Sequence, residues 1–538
     1  MKKYKYDRLG VMVDVSRNAV MSLEGWRRFL PLLSKMGYNT VLLYAEDTYE
    51  VEGEPYFGYM RGRYTADEMR ELDSLADSYG IEMVPCIQTL AHLDTYTRWG
   101  RHKIDNPGTL LVGDEKNYEL IENMFKTLKG CFKTNKLHVG MDEAWSLGRG
   151  KYIDVYGYDT MGNIMKKHLA RVKDLARKYG YEILMWSDMF FRGWNGGKYN
   201  CERRQIPDEY KNALPESVIP VYWNYYSRDE KVYDDMLYNH KQLSDDIWFA
   251  GGAWTWEGLV PGNRFSLDTM LPAIRACKKH DVKNFFVTMW GDNGSECSKF
   301  SVLPTLFYLA EVMRGNEDEA KIKAKFKRFS GIAFDDFMML DEPNLIYPDV
   351  ECVPHPRNPS KYMLYSDYFN GFLDFTVTEG GNELYADMAK RLHALAKSSR
   401  KFGYIFESEA RLCDVLSIKY ELGFKTRRAY KAGDKAELKR LAEEDYTELY
   451  KRLERFYQAF ERQWTTDNKY CGFEVQDGRL GAMLLRTKAC KRRLLDYVSG
   501  KLDSIQELEV DLLNYEDREY GKSMYYNNFR FNYTANVL

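Results

Sequence analysis

Two adjacent carboxylates follow an apolar run in the stretch LHVGMDEAW, which occupies residues 137–145 and places Asp142 beside Glu143. Close carboxylates shift each other's pKa values apart, so that one stays ionised while the other keeps its proton near neutral pH. An anionic stabiliser beside a general acid is the combination that cleaves glycosidic bonds. Ordinary retaining glycosidases hold two carboxyls about 5–5.5 Å apart on opposite sides of the anomeric carbon. Adjacent residues better suit a reaction in which a group on the sugar is the nucleophile.

The elements that must position this pair form a repeating pattern between residue 9 and about 310. Short apolar runs alternate with amphipathic segments such as TADEMRELDSLADSYG (65–80), which has a Thr N-cap, a Glu three residues later and a terminal Gly. The alternation predicts parallel strands covered by helices. The eight runs are LGVMVDVS (9–16), TVLLYAED (40–47), EMVPCIQT (82–89), LHVGMDEA (137–144), EILMWSDM (182–189), VIPVYWNY (218–225), WFAGGAWT (248–255) and FFVTMWGD (285–292).

Eight such units indicate an α/β fold, a closed (β/α)8 TIM barrel. A doubly wound open sheet is the alternative, disfavoured because no run leads into a GxGxxG or GxxxxGK turn. Nearly every run ends in acidic, polar or aromatic residues. Because the carboxyl ends of barrel strands meet at one mouth, these residues are expected to share a site.

The pattern changes after the barrel, and a Pro-rich connector at residues 341–360 marks the boundary. We predict a catalytic barrel over residues 1–345 and a mainly α-helical domain over 346–538. The helical domain either carries a homodimer interface or braces the barrel.

Composition excludes several classes of protein. A formal net charge of -2 supplies no sustained basic field for nucleic acid or an anionic membrane. No run approaches the roughly 20 apolar residues that span a bilayer. The 9 Cys show no CxxC or zinc spacing, which favours free thiols, a cytoplasmic location and no metal or other cofactor.

Four segments, in this order, resemble glycoside hydrolase family 20, the β-N-acetylhexosaminidases. HVGMDE resembles the family signature H-x-G-G-D-E, with Met141 in place of the second Gly. GVMVDVSRN (10–18), MWSDM (185–189) and MWGDNGSE (289–296) resemble its first, fifth and eighth strand segments. The resemblance covers roughly residues 8–310. The helical C-terminal region looks like that of a bacterial subgroup, and the small mixed domain that often precedes the barrel is not seen.

The resemblance implies an exo-acting, retaining enzyme that removes terminal GlcNAc or GalNAc from a glycan through an oxazolinium intermediate. Glu143 would then be the general acid and base, and Asp142 would orient the substrate's acetamido group. A sixth-strand Tyr would bind the acetamido oxygen. Tyr222 and Tyr225 are both candidates, and Tyr225 is preferred because it lies nearer the mouth.

The resemblance also implies a set of substrate-binding residues. Arg17 would bind O3 and O4 unless it forms a structural ion pair with a strand-end acid such as Asp47. His92 would orient its neighbours. Asp292 would accept from O4 or O6, with help from Asn224. The box around the acetamido methyl group would consist of Trp186, Trp254 and Trp290.

Other readings of the same barrel remain open. One is a different glycosidase specificity, such as release of a disaccharide or an ordinary two-carboxylate mechanism. Another is a non-catalytic carbohydrate-binding barrel. A metal-dependent hydrolase is the weakest, because with 8 His the strand ends show no ligand cluster.

Overall fold

The computed structural model describes residues 4–211, 214–215, 217–347, 355–514 and 520–537. It divides into two compact units. The barrel unit comprises Met1–Trp254, Phe265–Trp290 and Thr305–Asp318, and the helical unit comprises Thr255–Arg264, Gly291–Pro304 and Glu319–Leu538. The predicted boundary between residues 345 and 346 stays a prediction.

Eight parallel strands close into a barrel in the order β1-β10-β9-β8-β7-β6-β3-β2. This confirms the closed barrel and excludes the open sheet. The two remaining strands form a small antiparallel pair within the loop after β3. The strands are β1 Arg8–Asp14, β2 Thr40–Ala45, β3 Glu82–Ile87, β4 Ile104–Asn106, β5 Thr109–Leu110, β6 Lys136–His138, β7 Glu182–Trp186, β8 Val218–Trp223, β9 Trp248–Gly252 and β10 Asn284–Met289.

Amphipathic helices link successive barrel strands, as the sequence pattern predicts. In α2 the Thr65 hydroxyl accepts from the Glu68 N–H and the Glu68 carboxylate accepts from the Thr65 N–H, so the predicted capping box is present. The first eleven helices are α1 Leu23–Met36, α2 Ala66–Ser78, α3 Asp94–Thr97, α4 Glu115–Lys129, α5 Lys151–Tyr156, α6 Met161–Lys178, α7 Asp188–Trp194, α8 Asp208–Lys211, α9 Glu230–His240, α10 Asn263–Lys279 and α11 Leu303–Met313.

The helical unit confirms the predicted helical C-terminal region. A π-helical turn, Leu441–Asp445, separates α17 from α18 within the charged amphipathic stretch of residues 433–464. The helices are α12 Glu319–Ser330, α13 Phe334–Phe337, α14 Pro359–Tyr365, α15 Gly381–Ser398, α16 Gly403–Lys431, α17 Lys435–Arg440, α18 Tyr446–Asp467, α19 Glu474–Val498, α20 Gln506–Glu509 and α21 Phe529–Tyr533.

A buried ion cluster lies inside the helical unit. The Glu296 carboxylate is 2.7 Å from Lys361 Nζ and 2.7 Å from Arg479 Nη1. Lys361 also donates to the Asn293 carbonyl. These contacts tie the segment before α11 to α14 and α19, because burying an ion is tolerated only when it is paired.

Two further expectations concern the thiols and the membrane. Eight of the nine cysteines lie among the described residues and all eight are free, whereas Cys352 lies outside them. Within the described ranges, no helix combines the length and apolar character needed to cross a membrane.

Candidate active site

The backbone after β6 adopts an unusual conformation just before the carboxylate pair. Gly140, Met141 and Glu143 have φ values of 74°, 71° and 51°, in the left-handed region. A Cβ on Gly140 would lie 2.2 Å from Gln88 Oε1, so only glycine fits there. A non-glycine residue in this region costs on the order of 1–3 kcal/mol, and such strain concentrates at functional sites. β6 ends at His138, so the pair lies in this turn rather than on the strand.

Asp142 is buried and strongly hydrogen-bonded. Its Oδ1 accepts from Gln88 Nε2 at 2.7 Å, and its Oδ2 lies 3.4 Å from His92 Nε2. Burial by itself raises the pKa of Asp142, but the His92 charge and the hydrogen bonds from His92 and Gln88 outweigh burial and lower that pKa. Asp142 is therefore the carboxylate that stays ionised.

His92 lies between the two carboxylates. Its Nε2 is 3.7 Å from Glu143 Oε2 as well as near Asp142. Burial alone lowers the pKa of His92, but Asp142 and then Glu46 outweigh burial and raise that pKa to about 9. A protonated His92 thus faces both members of the pair.

Glu143 is the more accessible of the pair, with 38% of its side chain exposed against 11% for Asp142. Its backbone N–H donates to Asp188 Oδ2 at 3.2 Å. Asp188 is fully buried, and burial, followed by the charges of Asp142 and Glu143, raises the pKa of Asp188 to about 7. Asp188, at the end of the run MWSDM, was expected at the barrel mouth with the other strand-end residues, but no role in the site was predicted for it.

A chain of polar contacts connects Arg17 to the pair. Arg17 Nη2 lies 2.8 Å from Glu46 Oε1, which accepts from the Tyr44 hydroxyl. That hydroxyl accepts from Gln88, the donor to Asp142. Burial raises the pKa of Glu46 to about 7, although Arg17 and His92 oppose the shift. The alternative considered for Arg17, an ion pair with a strand-end acid, is therefore present, but the partner is Glu46 and not Asp47.

Asp47 instead pairs with Arg61, whose Nη1 lies 3.0 Å from Asp47 Oδ1. Sequence reasoning assigned no role to Tyr44, Glu46 or Gln88. Their positions at the ends of the second and third apolar runs were the available signal.

Aromatic side chains pack together at the carboxyl ends of β7 and β10. The rings of Trp186 and Trp290 lie 6.1 Å apart, and Tyr44 packs edge-on against Trp290 at 4.6 Å. Tyr225 hydrogen-bonds with Trp290. Burial raises the pKa of Tyr225 well above its ordinary value, the bond with Trp290 opposes the shift, and the Asp142 charge adds to it.

Tyr222 is placed differently. It is fully buried against His240, with ring centroids 4.8 Å apart, and its hydroxyl accepts from the Asn224 side chain. The Asn224 Oδ1 accepts from the backbone of Tyr226 and Ser227, so this amide stabilises its own turn. These contacts describe Tyr222, and the acetamido contact expected of Tyr225 stays a prediction.

Two predicted residues, Trp254 and Asp292, remain to be described. Trp254 packs on Phe265 at 5.3 Å and on Tyr226 at 5.9 Å. Asp292 belongs to the helical unit, where its carbonyl accepts from the Glu257 N–H. The substrate contact predicted for Asp292 stays a prediction. Across the described residues, no group of three or more His, Cys, Asp or Glu could hold a metal ion.

The barrel and the residues at its carboxyl end together indicate a class of protein. A closed parallel barrel presents clustered carboxyls and aromatic rings beyond the carboxyl ends of its strands. That arrangement is typical of barrel glycoside hydrolases.

Comparison with known families identifies the group. Residues 6–232 match "Glycosyl hydrolase family 20, catalytic domain", and residues 335–526 match "Glycoside Hydrolase 20C C-terminal domain". The chain belongs to glycosyl hydrolase family 20. The family predicted from the four sequence segments is confirmed.

Individual relatives are distant. Hexosaminidase D of Bos taurus is 24% identical over 239 residues, covering 42% of this chain and 64% of that protein. Hexosaminidase D of Homo sapiens is 26% identical over 208 residues, covering 36% of this chain and 40% of that protein. The chain thus spans less than two thirds of the relatives' lengths. A solved GH20 exo-β-N-acetylglucosaminidase from Vibrio harveyi is 15% identical with a TM-score of 0.46, covering 63% of this chain and 59% of that one.

Proposed function

We propose that the chain is an exo-acting, retaining β-N-acetylhexosaminidase that uses the substrate's acetamido group as nucleophile. Its substrate would be the terminal, non-reducing β-linked GlcNAc or GalNAc of an oligosaccharide or glycoconjugate. One observation carries the proposal. Two adjacent carboxyls occupy opposite environments, with Asp142 buried and held ionised and Glu143 accessible.

In the first step the acetamido oxygen bonds to C1 as the bond from C1 to the glycosidic oxygen breaks. Glu143 gives its proton to the departing oxygen. Asp142 accepts from the acetamido N–H and stabilises the positive charge of the oxazolinium ring. The Tyr225 hydroxyl donates to the acetamido oxygen and orients it for attack.

In the second step Glu143 takes a proton from water, and the water oxygen bonds to C1. The bond from C1 to the acetamido oxygen breaks, which restores the acetamide. Two inversions at C1 leave the β configuration retained.

The substrate would be held by the residues around the pair. The ion pair with Glu46 would orient Arg17, whose guanidinium fork of donors would bind O3 and O4. The acetamido methyl group would lie against Trp186, Trp254 and Trp290, and Asp292 and Asn224 would bind the remaining hydroxyls. A homodimer and a cytoplasmic location stay predictions.

The test is release of p-nitrophenol from its β-GlcNAc, β-GalNAc and β-glucoside derivatives. We expect turnover of the acetamido sugars alone. Glu143→Gln should lower kcat/KM by about 10²–10⁴-fold, the usual contribution of a general acid. Asp142→Asn should lower it as well, because the oxazolinium charge loses its anionic neighbour.

Two results would contradict the proposal. Equal turnover of the β-glucoside would require a separate nucleophile, since glucose has no acetamido group. Sugar binding without turnover of any derivative would instead support a carbohydrate-binding barrel. A thiazoline analogue of the oxazolinium should inhibit only a substrate-assisted enzyme, and a disaccharide product would reveal the other specificity.

A further inference from the structure

Trp145 is a large aromatic residue left exposed beside the carboxylate pair. It lies two residues after Glu143, and its backbone N–H donates to the Glu143 carbonyl at 2.7 Å. Its exposure is 52%, whereas Trp186 and Trp290 are buried. Single exposed apolar side chains are common, so the exposure of this ring gains its meaning from the position beside the carboxylate pair.

The exposed ring is held in place rather than loose. The Arg192 guanidinium lies over it, 3.9 Å from the ring centroid. Arg192 Nε lies 3.7 Å from Asp188 Oδ2, the atom that accepts from the Glu143 N–H. The contacts that position Glu143 therefore also position Trp145. A ring fixed on one side by a cation and half open to solvent is preorganised for a ligand.

The chemistry of the proposed reaction indicates which ligand this is. Glu143 protonates the glycosidic oxygen, so the leaving group lies just beyond that oxygen, on the Glu143 side of the bond. The C–H face of a sugar ring is apolar and stacks on an aromatic face. An aromatic aglycone would stack there as well.

We propose that Trp145 is a binding platform for the leaving group, either the next sugar of the glycan or an aromatic aglycone. The inference rests on the proposed function. It assigns Trp145 a part in choosing the aglycone, separate from recognition of the terminal amino sugar.

The experiment compares two substrates that share the terminal GlcNAc and differ in leaving group. One is the β-1,4-linked GlcNAc disaccharide, and the other is methyl β-GlcNAc, which has no ring to stack. The measured quantity is the ratio of their kcat/KM values. We expect Trp145→Ala to lower that ratio at least about tenfold, and Trp145→Phe to lower it less because a smaller ring remains.

Tyr158→Ala is the matched control. Tyr158 lies between α5 and α6, is 72% exposed and, like Trp145, has an arginine, Arg149, over its ring, but it is not next to the carboxylate pair in the chain. The control should leave the ratio unchanged. Thermal unfolding of each variant would verify folding, and Trp145→Leu would replace Trp145→Ala if that variant did not fold.

Several outcomes would overturn the inference. An unchanged ratio would show that the leaving group does not touch Trp145. Equal losses on both substrates would show that Trp145 acts by positioning Glu143. Wild-type protein inactive on both substrates would overturn the proposed function, and with it this inference, whereas an active wild type isolates the role of Trp145.

Discussion

Gln88 connects three parts of the candidate site through one amide group. Its Nε2 donates to Asp142 and to the Tyr44 hydroxyl, and its Oε1 accepts from the Met141 N–H at 3.2 Å. A hydrogen bond to a charged group contributes about 1.5–3 kcal/mol. Gln88 is therefore expected to affect the protonation of Asp142 as well as its position.

We predict that Gln88→Leu lowers kcat/KM on an acetamido substrate by about 10–100-fold, the rate equivalent of that hydrogen bond. Loss of the donor raises the pKa of Asp142, so the acidic limb of the pH–rate profile should move to higher pH. Gln458→Leu, at an exposed helix position, is the control. An acidic limb that stays in place would show that Gln88 does not stabilise the ionised form.

The site was only partly predictable from residues. Asp142, Glu143 and Arg17 were identifiable because strand-end position and residue type agreed. Gln88 and Asp188 were expected at the mouth as strand-end residues, but their roles as buried partners of the pair were not predicted, since those roles depend on distances between side chains of different strands. The Arg17 ion pair shows the same limit, because sequence does not say which of two adjacent acids, Glu46 or Asp47, faces the mouth.

At the scale of elements, the turn after β6 depends on one glycine. Gly140 has φ 74°, and an added Cβ would lie 2.2 Å from Gln88 Oε1 and 2.6 Å from the Ile87 carbonyl. Neither neighbour can move without disturbing β3 or Asp142. Gly140 therefore determines both the conformation of the turn and the position of the carboxylate pair.

We predict that Gly140→Ala lowers the free energy of unfolding by about 2 kcal/mol or more, adding a steric clash to the left-handed strain, and lowers kcat/KM. Gly180→Ala is the control. Gly180 has φ 68° but nothing within 4 Å of an added Cβ, so strain alone should cost about 1 kcal/mol. Urea unfolding measures both variants, and equal losses would contradict the steric argument.

The buried ion cluster of the helical unit stabilises the packing of α14 and α19 against the segment before α11. Lys361→Met should lower the free energy of unfolding by about 3–5 kcal/mol, because Glu296 loses its fully buried cation. Adding Glu296→Gln should recover part of that loss. Lys397→Met, at an exposed position, should change stability by less than about 0.5 kcal/mol. If the changes in unfolding free energy of the two single variants simply added in the double variant, the ion pair between Lys361 and Glu296 would be contradicted.

The elements themselves were more predictable than the site, because they depend on local patterns. The eight apolar runs and the Thr65 capping box identified strands and helices directly. Irregular turns inside a helix could not be predicted from the sequence pattern. The stretch 433–464 has continuous helical periodicity, yet a π-helical turn at Leu441–Asp445 interrupts it.

For the whole molecule, buried acids couple folding to pH. Burial, followed by the Asp341 charge, raises the pKa of Glu409 well above its ordinary value, and burial raises the pKa of Asp341 to about 6. A folded chain with raised carboxyl pKa values holds protons that the unfolded chain releases. The stability that these groups contribute is fully present below their unfolded pKa values of about 4 and is lost as pH rises through their raised folded pKa values.

We predict that Glu409→Gln weakens the decrease in unfolding free energy between pH 5 and 8, because one titrating group is removed. The variant should therefore gain stability relative to wild type as the pH rises. Glu443→Gln, at an exposed position, should leave the pH dependence unchanged. Urea unfolding at several pH values measures the slope, and parallel curves for Glu409→Gln and wild type would contradict the assignment.

The pairing between β3 and β6 affects how readily these two barrel strands separate in local opening. The two strands pair in register only at Cys86 and His138. Beyond that point Thr89 Oγ1 donates to the Val139 carbonyl, and Gln88 bonds Met141 and Asp142. Hydrogen bonds from side chains of the site thus connect β3 to the segment after β6, whereas backbone pairing connects the other neighbouring strands. An inhibitor that binds Asp142 would therefore stabilise the connection between β3 and β6. Amide hydrogen exchange should slow along both strands, including at residues that do not contact the inhibitor.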